Sequence, residues 1–279
     1  MSMRTIRQPA VAGRFYPGRA HELRASVDGL LDSARAATGS ILERPKALIV
    51  PHAGYIYSGP TAARGYVLLE PFAASISTVV LVGPAHHVGF RGLALSDADA
   101  FATPLGEVPV DRTATPGLCT LPAVIHSDAA HAPEHSLEVQ LPFLQTVLAD
   151  FAVVPLLVGD ADPESVASAL EEAWGGPETL LLISSDLSHY LPYDQARVTD
   201  ADTIRRILAL AWPLPDGSAC GARGINGMLL AARDHDLTPT LIDARNSGDT
   251  AGDRARVVGY ASVSFTTFTG IPTGGDHDD

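Results

Sequence analysis

The chain has 279 residues, with 32 acids against 19 bases and a formal net charge of −13. That balance, without a basic stripe, argues against a nucleic-acid backbone or an anionic membrane surface as partner. Hydrophobic residues make up 46% of the sequence, enough for a sizeable core, yet no apolar run approaches the ~20 residues of a membrane span. The opening stretch Met1–Gly18 carries basic residues without the apolar centre of a secretory signal. Cys119 and Cys220 make no disulfide framework and fit a reducing cytoplasm.

The predicted elements alternate along the chain. Arg14–Gly18 reads as an aromatic turn whose rings pack over the core rather than line a pocket. Leu23, Val27, Leu30, Leu31 and Ala34 mark one amphipathic helix over His21–Ala37. Ala47–Val50 is a buried strand. Pro51, which has no N–H for the ladder, stops it, and His52 follows at once. A small turn at Ala53-Gly54 then leads to a helix from Thr61. Thr78–Val82 repeats the pattern, ending in Gly83-Pro84-Ala85-His86-His87; side chains alternate in an extended segment, so only one of these histidines can face the same point as His52. Leu93–Leu95 is a short strand, and Phe101–Thr103 and Val108–Val110 flank a turn. Residues 111–133 look irregular.

Leu137, Leu141 and Leu144 form a helical stripe, with Glu134 and Glu138 one turn apart beside His135. Ala152–Val158 and Thr179–Ile183 are further buried strands, separated by a helix from Pro163 to Trp174. The second runs into Ser184-Ser185-Asp186-Leu187-Ser188-His189. A helix over Thr199–Leu210 precedes another starting around Ser218–Gly221, so Cys220 stands near a helix N-terminus, where the dipole favours a thiolate. Thr238–Asp243 is a strand, Asn246–Arg256 a Gly/Asp-rich loop, and Val257–Phe265 a last, internal strand. The alternation predicts one domain over residues 1–269, a three-layer α/β/α sandwich around a mixed, largely parallel sheet, with an unstructured tail over residues 270–279. Dinucleotide, P-loop and nucleophile-elbow motifs are missing from the sequence.

Each polar residue at these strand ends and helix starts is unremarkable alone. Together His52, His86 and Cys220 are the donor set of a divalent transition-metal site with an open coordination position. Asp186 and His189 suit acid/base duty or the orientation of an imidazole. His135 and Glu138, with Tyr55, are candidates for the pocket wall. Cys119 has no such context.

The motifs PHAGYIYSG (Pro51–Gly59), GPAHHV (Gly83–Val88), ATPLGEVPVD (Ala102–Asp111), EHSLEVQLPFL (Glu134–Leu144), SSDLSHY (Ser184–Tyr190), the Cys220-Gly221 pair and NSGD…RVVGYAS (Asn246–Ser262) together resemble the Memo family, whose prokaryotic members are named AmmeMemoRadiSam system protein B. That family is similar in fold to the class III extradiol dioxygenases, which use non-haem iron. The resemblance implies iron (Fe2+), or else copper or zinc, on His52, His86 and Cys220. His189 would stand at the place of the dioxygenases' acid/base histidine. Cys220 takes the place of their carboxylate ligand, so the two-histidine, one-carboxylate triad is not reproduced. The family name further implies association with an AMMECR-type protein and a radical-SAM protein. Two functions stay open: a metal-dependent redox enzyme acting with dioxygen on a small substrate, and a non-catalytic metal- or partner-binding module on a dioxygenase-like fold. A third reading makes the same residues a hydrogen-bonded polar cluster.

Overall fold

A computed structural model describes residues 4–39, 41, 43–215 and 217–267; the expected tail after Gly270 lies outside them. The chain begins with strand β1 (Ile6–Arg7) and helix α1 (Ala20–Ala36). Strand β2 (Ala47–Val50) leads into α2 (Tyr55–Tyr66), which tightens into a 3-10 segment, Val67–Ser75. Then come β3 (Thr78–Pro84), β4 (Leu93–Leu95), β5 (Ala100–Thr103) and β6 (Gly106–Pro109). The stretch expected to be irregular holds α3 (Thr115–Leu118), β7 (Val124–His126) and α4 (Asp128–His131). A 3-10 turn, Glu138–Gln140, opens α5 (Leu141–Val147). The second half runs β8 (Ala152–Val158), α6 (Pro163–Glu172), β9 (Thr179–Ser184), β10 (His189–Leu191), α7 (Tyr193–Leu208), α8 (Ala222–Asp234), β11 (Leu237–Asn246) and β12 (Val257–Thr267).

Among the described residues, nine strands form the main sheet in the order β10-β12-β2-β9-β3-β8-β4-β7, with β11 paired to β12 along its length. Strands β2, β9, β3 and β8 are mutually parallel, whereas β12 runs against its neighbours and β4 against β8, with β7 parallel to β4. Both faces are covered, which is why the central strands read as unbroken apolar runs. Alternate residues feed two cores. Leu48, Val50, Val79, Leu81, Leu180 and Leu182 pack with α1, α2 and α5 on one face. Ala47, Ile49, Val80, Val82, Leu181 and Ile183 pack with α6, α7 and α8 on the other. The sandwich is therefore the expected one. β12 is internal as expected, between β11 and β2. The hairpin differs: β5 and β6 join β1 in a separate three-stranded sheet, so the mixed character of the main sheet comes from β12 and from the pair β4 and β7.

Candidate metal centre

Strands β2, β9 and β3 lie side by side, so their C-terminal ends open on one edge of the sheet. In parallel α/β sheets that edge is where ligands bind. His52 follows β2 across Pro51, Asp186 lies just past β9, and His86 just past β3. Cys220 arrives from the segment ahead of α8 and is anchored to the β9 loop. Its amide donates to the Asp186 carbonyl at 3.2 Å, and the Asp186 amide donates to Sγ at 3.3 Å. The glycine after it is required by proximity, since a Cβ on Gly221 would meet the Ser185 Cβ at 2.7 Å and the Ser184 carbonyl at 2.9 Å.

His52 Nε2 lies 3.2 Å from Cys220 Sγ, and the His52 and His86 ring centroids are 5.2 Å apart. One ligand atom from each of His52, His86 and Cys220 falls within 4.8 Å of the others. A tetrahedral ion with bonds of about 2.0 Å to nitrogen and 2.3 Å to sulfur holds its donors roughly 3.3–3.8 Å apart, so small shifts would close this set on one ion. The donors fit a divalent transition metal.

A second cluster shares His86, adding Glu134 and His135. Its carboxylate is already committed. Glu134 accepts the His86 amide at 2.5 Å, His86 Nδ1–H at 2.9 Å, and the amides of His135 and Ser136, both at 2.9 Å. Burial alone would raise its pKa, but the His86 side chain and amide and the Ser136 amide outweigh that and hold it well below the usual carboxylate range. Glu134 therefore orients His86, leaving Nε2 as the donor.

Burial also tunes the neighbours. It holds His52 well below the ordinary imidazole range, helped by His86 and His135. It takes His135, stacked on His86 at 4.7 Å, down to about 4. It raises Asp186 to about 7, against the hydrogen bonds from the His52 and Ala53 amides. Burial and then the Asp186 charge push the Cys220 thiol up to about 12. The thiolate expected at a helix start is thus not favoured by the protein alone: Cys220 precedes α8 rather than belonging to its first turn, and burial outweighs the dipole.

His52, His86, His135 and Asp186 face a cleft of about 630 Å³ that also takes in His189, Tyr190, Phe15, Tyr57 and Tyr260; Cys220 opens instead on a neighbouring cavity with Pro84, Ala85 and Arg223. The Asn246–Arg256 loop supplies Ser247, Gly252, Asp253 and Arg256 to its wall. Burial lowers the His189 pKa, although a hydrogen bond to the Leu187 carbonyl opposes this. His135 lines the cleft as expected of a wall residue, and so does Phe15, against the expectation that the turn only packs. Only one of the paired histidines is used: His86 lines the cleft, and His87 reaches the edge of the His135 ring at 5.9 Å.

Two wall candidates lie elsewhere. Glu138 is fully buried, paired with Arg7 and accepting from the Ala10 and Val11 amides and the Tyr16 hydroxyl. The helical spacing linking it to Glu134 fails because residues 132–137 are not helical. Tyr55 is buried at the start of α2, its hydroxyl donating to the Val139 carbonyl at 2.7 Å. Asp186 holds the backbone of His52 rather than an imidazole. Cys119 is exposed, 3.2 Å from His126 Nε2, and does not line this cleft. Ser184 and Gln140, outside the candidates above, also reach this site, the Ser184 hydroxyl lying 2.8 Å from both His52 Nδ1 and Gln140 Nε2. Their one visible signal is a polar side chain where a core strand ends and another beside an apolar helical stripe.

Fold and site together define an α/β/α protein with two imidazoles and one thiol converging at the C-terminal edge of a largely parallel sheet. The Memo-like protein family model matches residues 7–264. The chain belongs to the Memo family. It is 37% identical to a MEMO1 family protein of Methanosarcina barkeri, covering 92% of this chain and 99% of that one. It is 36% identical to one from Archaeoglobus fulgidus (93% and 99% covered) and 35% identical to one from Thermotoga petrophila (92% and 98%). Among the described residues, no helix is long and apolar enough to cross a membrane.

Proposed function

We propose that this protein binds one divalent transition metal, Fe2+ before copper or zinc, through His52 Nε2, His86 Nε2 and Cys220 Sγ, and is a redox enzyme acting with dioxygen on a small substrate. The carrying observation is the convergence of the three donors within 4.8 Å, with His52 and His86 lining a cleft that also holds His189. Imidazole and thiolate donors suit these metals, and three protein ligands leave a position open, as catalytic sites do. The bound ion would supply redox chemistry and that open position. The protein would supply the rest. Glu134 holds His86 in place, and the Asp186 carboxylate fixes the His52 backbone. His189, kept neutral by burial near pH 7, is available to accept a substrate proton. Phe15, Tyr57 and Tyr260 would supply apolar wall for a substrate.

The test is anaerobic purification with metal analysis of wild type, His52→Ala, His86→Ala and Cys220→Ser. Near-stoichiometric metal in wild type and a loss of tenfold or more in each variant is expected. Equal metal in all four would overturn the assignment. Oxygen uptake by the loaded protein with catechols, lost in His189→Ala, is the expected sign of turnover; a full metal load with no uptake on any substrate offered would favour the binding module.

A further inference from the structure

Ser184, the last residue of β9, is fully buried, and its hydroxyl has three polar neighbours: the Ser136 carbonyl at 2.6 Å, Gln140 Nε2 at 2.8 Å and His52 Nδ1 at 2.8 Å. A hydroxyl has one hydrogen and two lone pairs, so these contacts use all of its capacity. The carbonyl of Ser136 can only accept, and it takes the Ser184 hydrogen. The Gln140 amide has its orientation fixed independently: Nε2 lies 3.0 Å from the Pro51 carbonyl, another pure acceptor, and Oε1 accepts from the Tyr66 hydroxyl at 2.8 Å. Nε2 therefore donates to both Pro51 and Ser184. What Ser184 offers His52 is a lone pair. The hydrogen of that bond must come from Nδ1, which leaves the lone pair of the neutral ring on Nε2, the atom 3.2 Å from Cys220 Sγ.

We propose that the buried chain Tyr66–Gln140–Ser184 positions His52 for metal by locking its imidazole in the Nδ1–H tautomer, with Ser184 and Gln140 as positioning residues. This rests on the metal reading above. It also distinguishes the two histidines. A carboxylate, Glu134, orients His86, whereas a neutral relay orients His52 and so adds no second anion beside it. The relay reaches across the fold: Ser184 ends a strand, Gln140 sits in the 3-10 turn before α5, and Tyr66 ends α2. An orphaned buried Nδ1–H, or a flipped tautomer with Nε2–H aimed at the donor cluster, is what removing the hydroxyl would leave.

The experiment has two readouts. Long-range proton–nitrogen NMR on metal-free protein labelled at histidine reports the tautomer, with the His52 signal assigned by its loss in His52→Ala. Wild type is expected to show Nδ1 protonated and Nε2 bare; a predominant Nε2–H form would overturn the proposal, whatever metal does. Zn(II), which is redox-silent, then serves as the binding probe. Ser184→Ala is expected to weaken its affinity about 10–100-fold, and Ser184→Thr, which keeps a hydroxyl, to restore most of it. Wild-type affinity in a folded Ser184→Ala protein would also overturn the proposal. If Ser184→Ala fails to fold, the wild-type tautomer decides alone. A wild type that shows the Nδ1–H form but binds no metal would defeat the metal reading and leave the relay's tautomer lock standing.

Discussion

At the scale of single residues, the clearest pH liability lies outside the cleft, at His131. It is 1% exposed, its Nε2–H donates to the Ala94 carbonyl at 2.9 Å, and burial takes its pKa down to about 4. An unfolded histidine titrates near ~6.5. Below that pH the unfolded chain binds a proton that the folded one refuses, so stability falls as pH drops from about 6.5 towards about 4 and is unaffected by this group above that window. The slope is at most about 1.4 kcal/mol per pH unit. Urea unfolding of wild type and His131→Gln at about pH 7.5 and about pH 5 is expected to show a shallower acid loss in the variant, by roughly 1–2 kcal/mol. Parallel losses would refute this. The same scale shows where reading side chains from sequence works. His52 and His86 were legible because an apolar run ending in proline or glycine fixes where the next side chain emerges. Glu134 and Glu138 were not, because their roles depend on where a helix begins. Glu134 turns to His86, and Glu138 serves the buried Arg7 guanidinium.

At the scale of elements, α8 shows propensity and packing in competition. Gly227 lies in its middle, where alanine would gain about 1 kcal/mol in helix propensity. A Cβ there, however, would stand 2.4 Å from the Val166 side chain and 3.0 Å from the Ala167 backbone nitrogen on α6. Backbone cannot swing aside, and overpacking of this kind costs about 1–3 kcal/mol. Gly224 is the internal control, since its nearest neighbour would be Val82 Cγ1 at an ordinary 3.4 Å. Gly227→Ala is expected to lower the unfolding midpoint, with Gly224→Ala neutral or stabilising; equal effects would sink the argument. Helix existence was readable from periodicity, but helix starts were not: α2 begins at Tyr55 and α7 at Tyr193, each ahead of the expected residue.

At the scale of the whole molecule, the centre ties the two halves of the chain together. His52 and His86 come from the first, Cys220 from the second, and no local segment holds more than one of the three donors. An ion bound there binds the folded state alone and stabilises it by about 2.7 kcal/mol at a hundredfold excess over the dissociation constant. For a chain of this size that corresponds to a rise in melting temperature of about 5 °C. Calorimetry of metal-loaded wild type is expected to show that rise, its reversal by a chelator, and its absence in His86→Ala. A melting temperature indifferent to metal in wild type would contradict the shared site.

The sequence by itself determined the layers, the central core strands and the family, because a core strand covered on both faces must be a continuous apolar run and because the motifs are local strings; the short edge strands β1, β7 and β10 carry no such run. It also placed His52, His86 and Cys220 at strand or helix ends. Tertiary structure decided the rest: which strand ends become neighbours, that Asn246–Arg256 walls the cleft, and which polar partner each imidazole meets. A hydrogen bond from His52 to Ser184, or from Gln140 to Pro51, joins residues 132 and 89 positions apart. No spacing rule spans such a distance, and only the register of β2 on β9 and the seating of the turn before α5 bring those groups within reach.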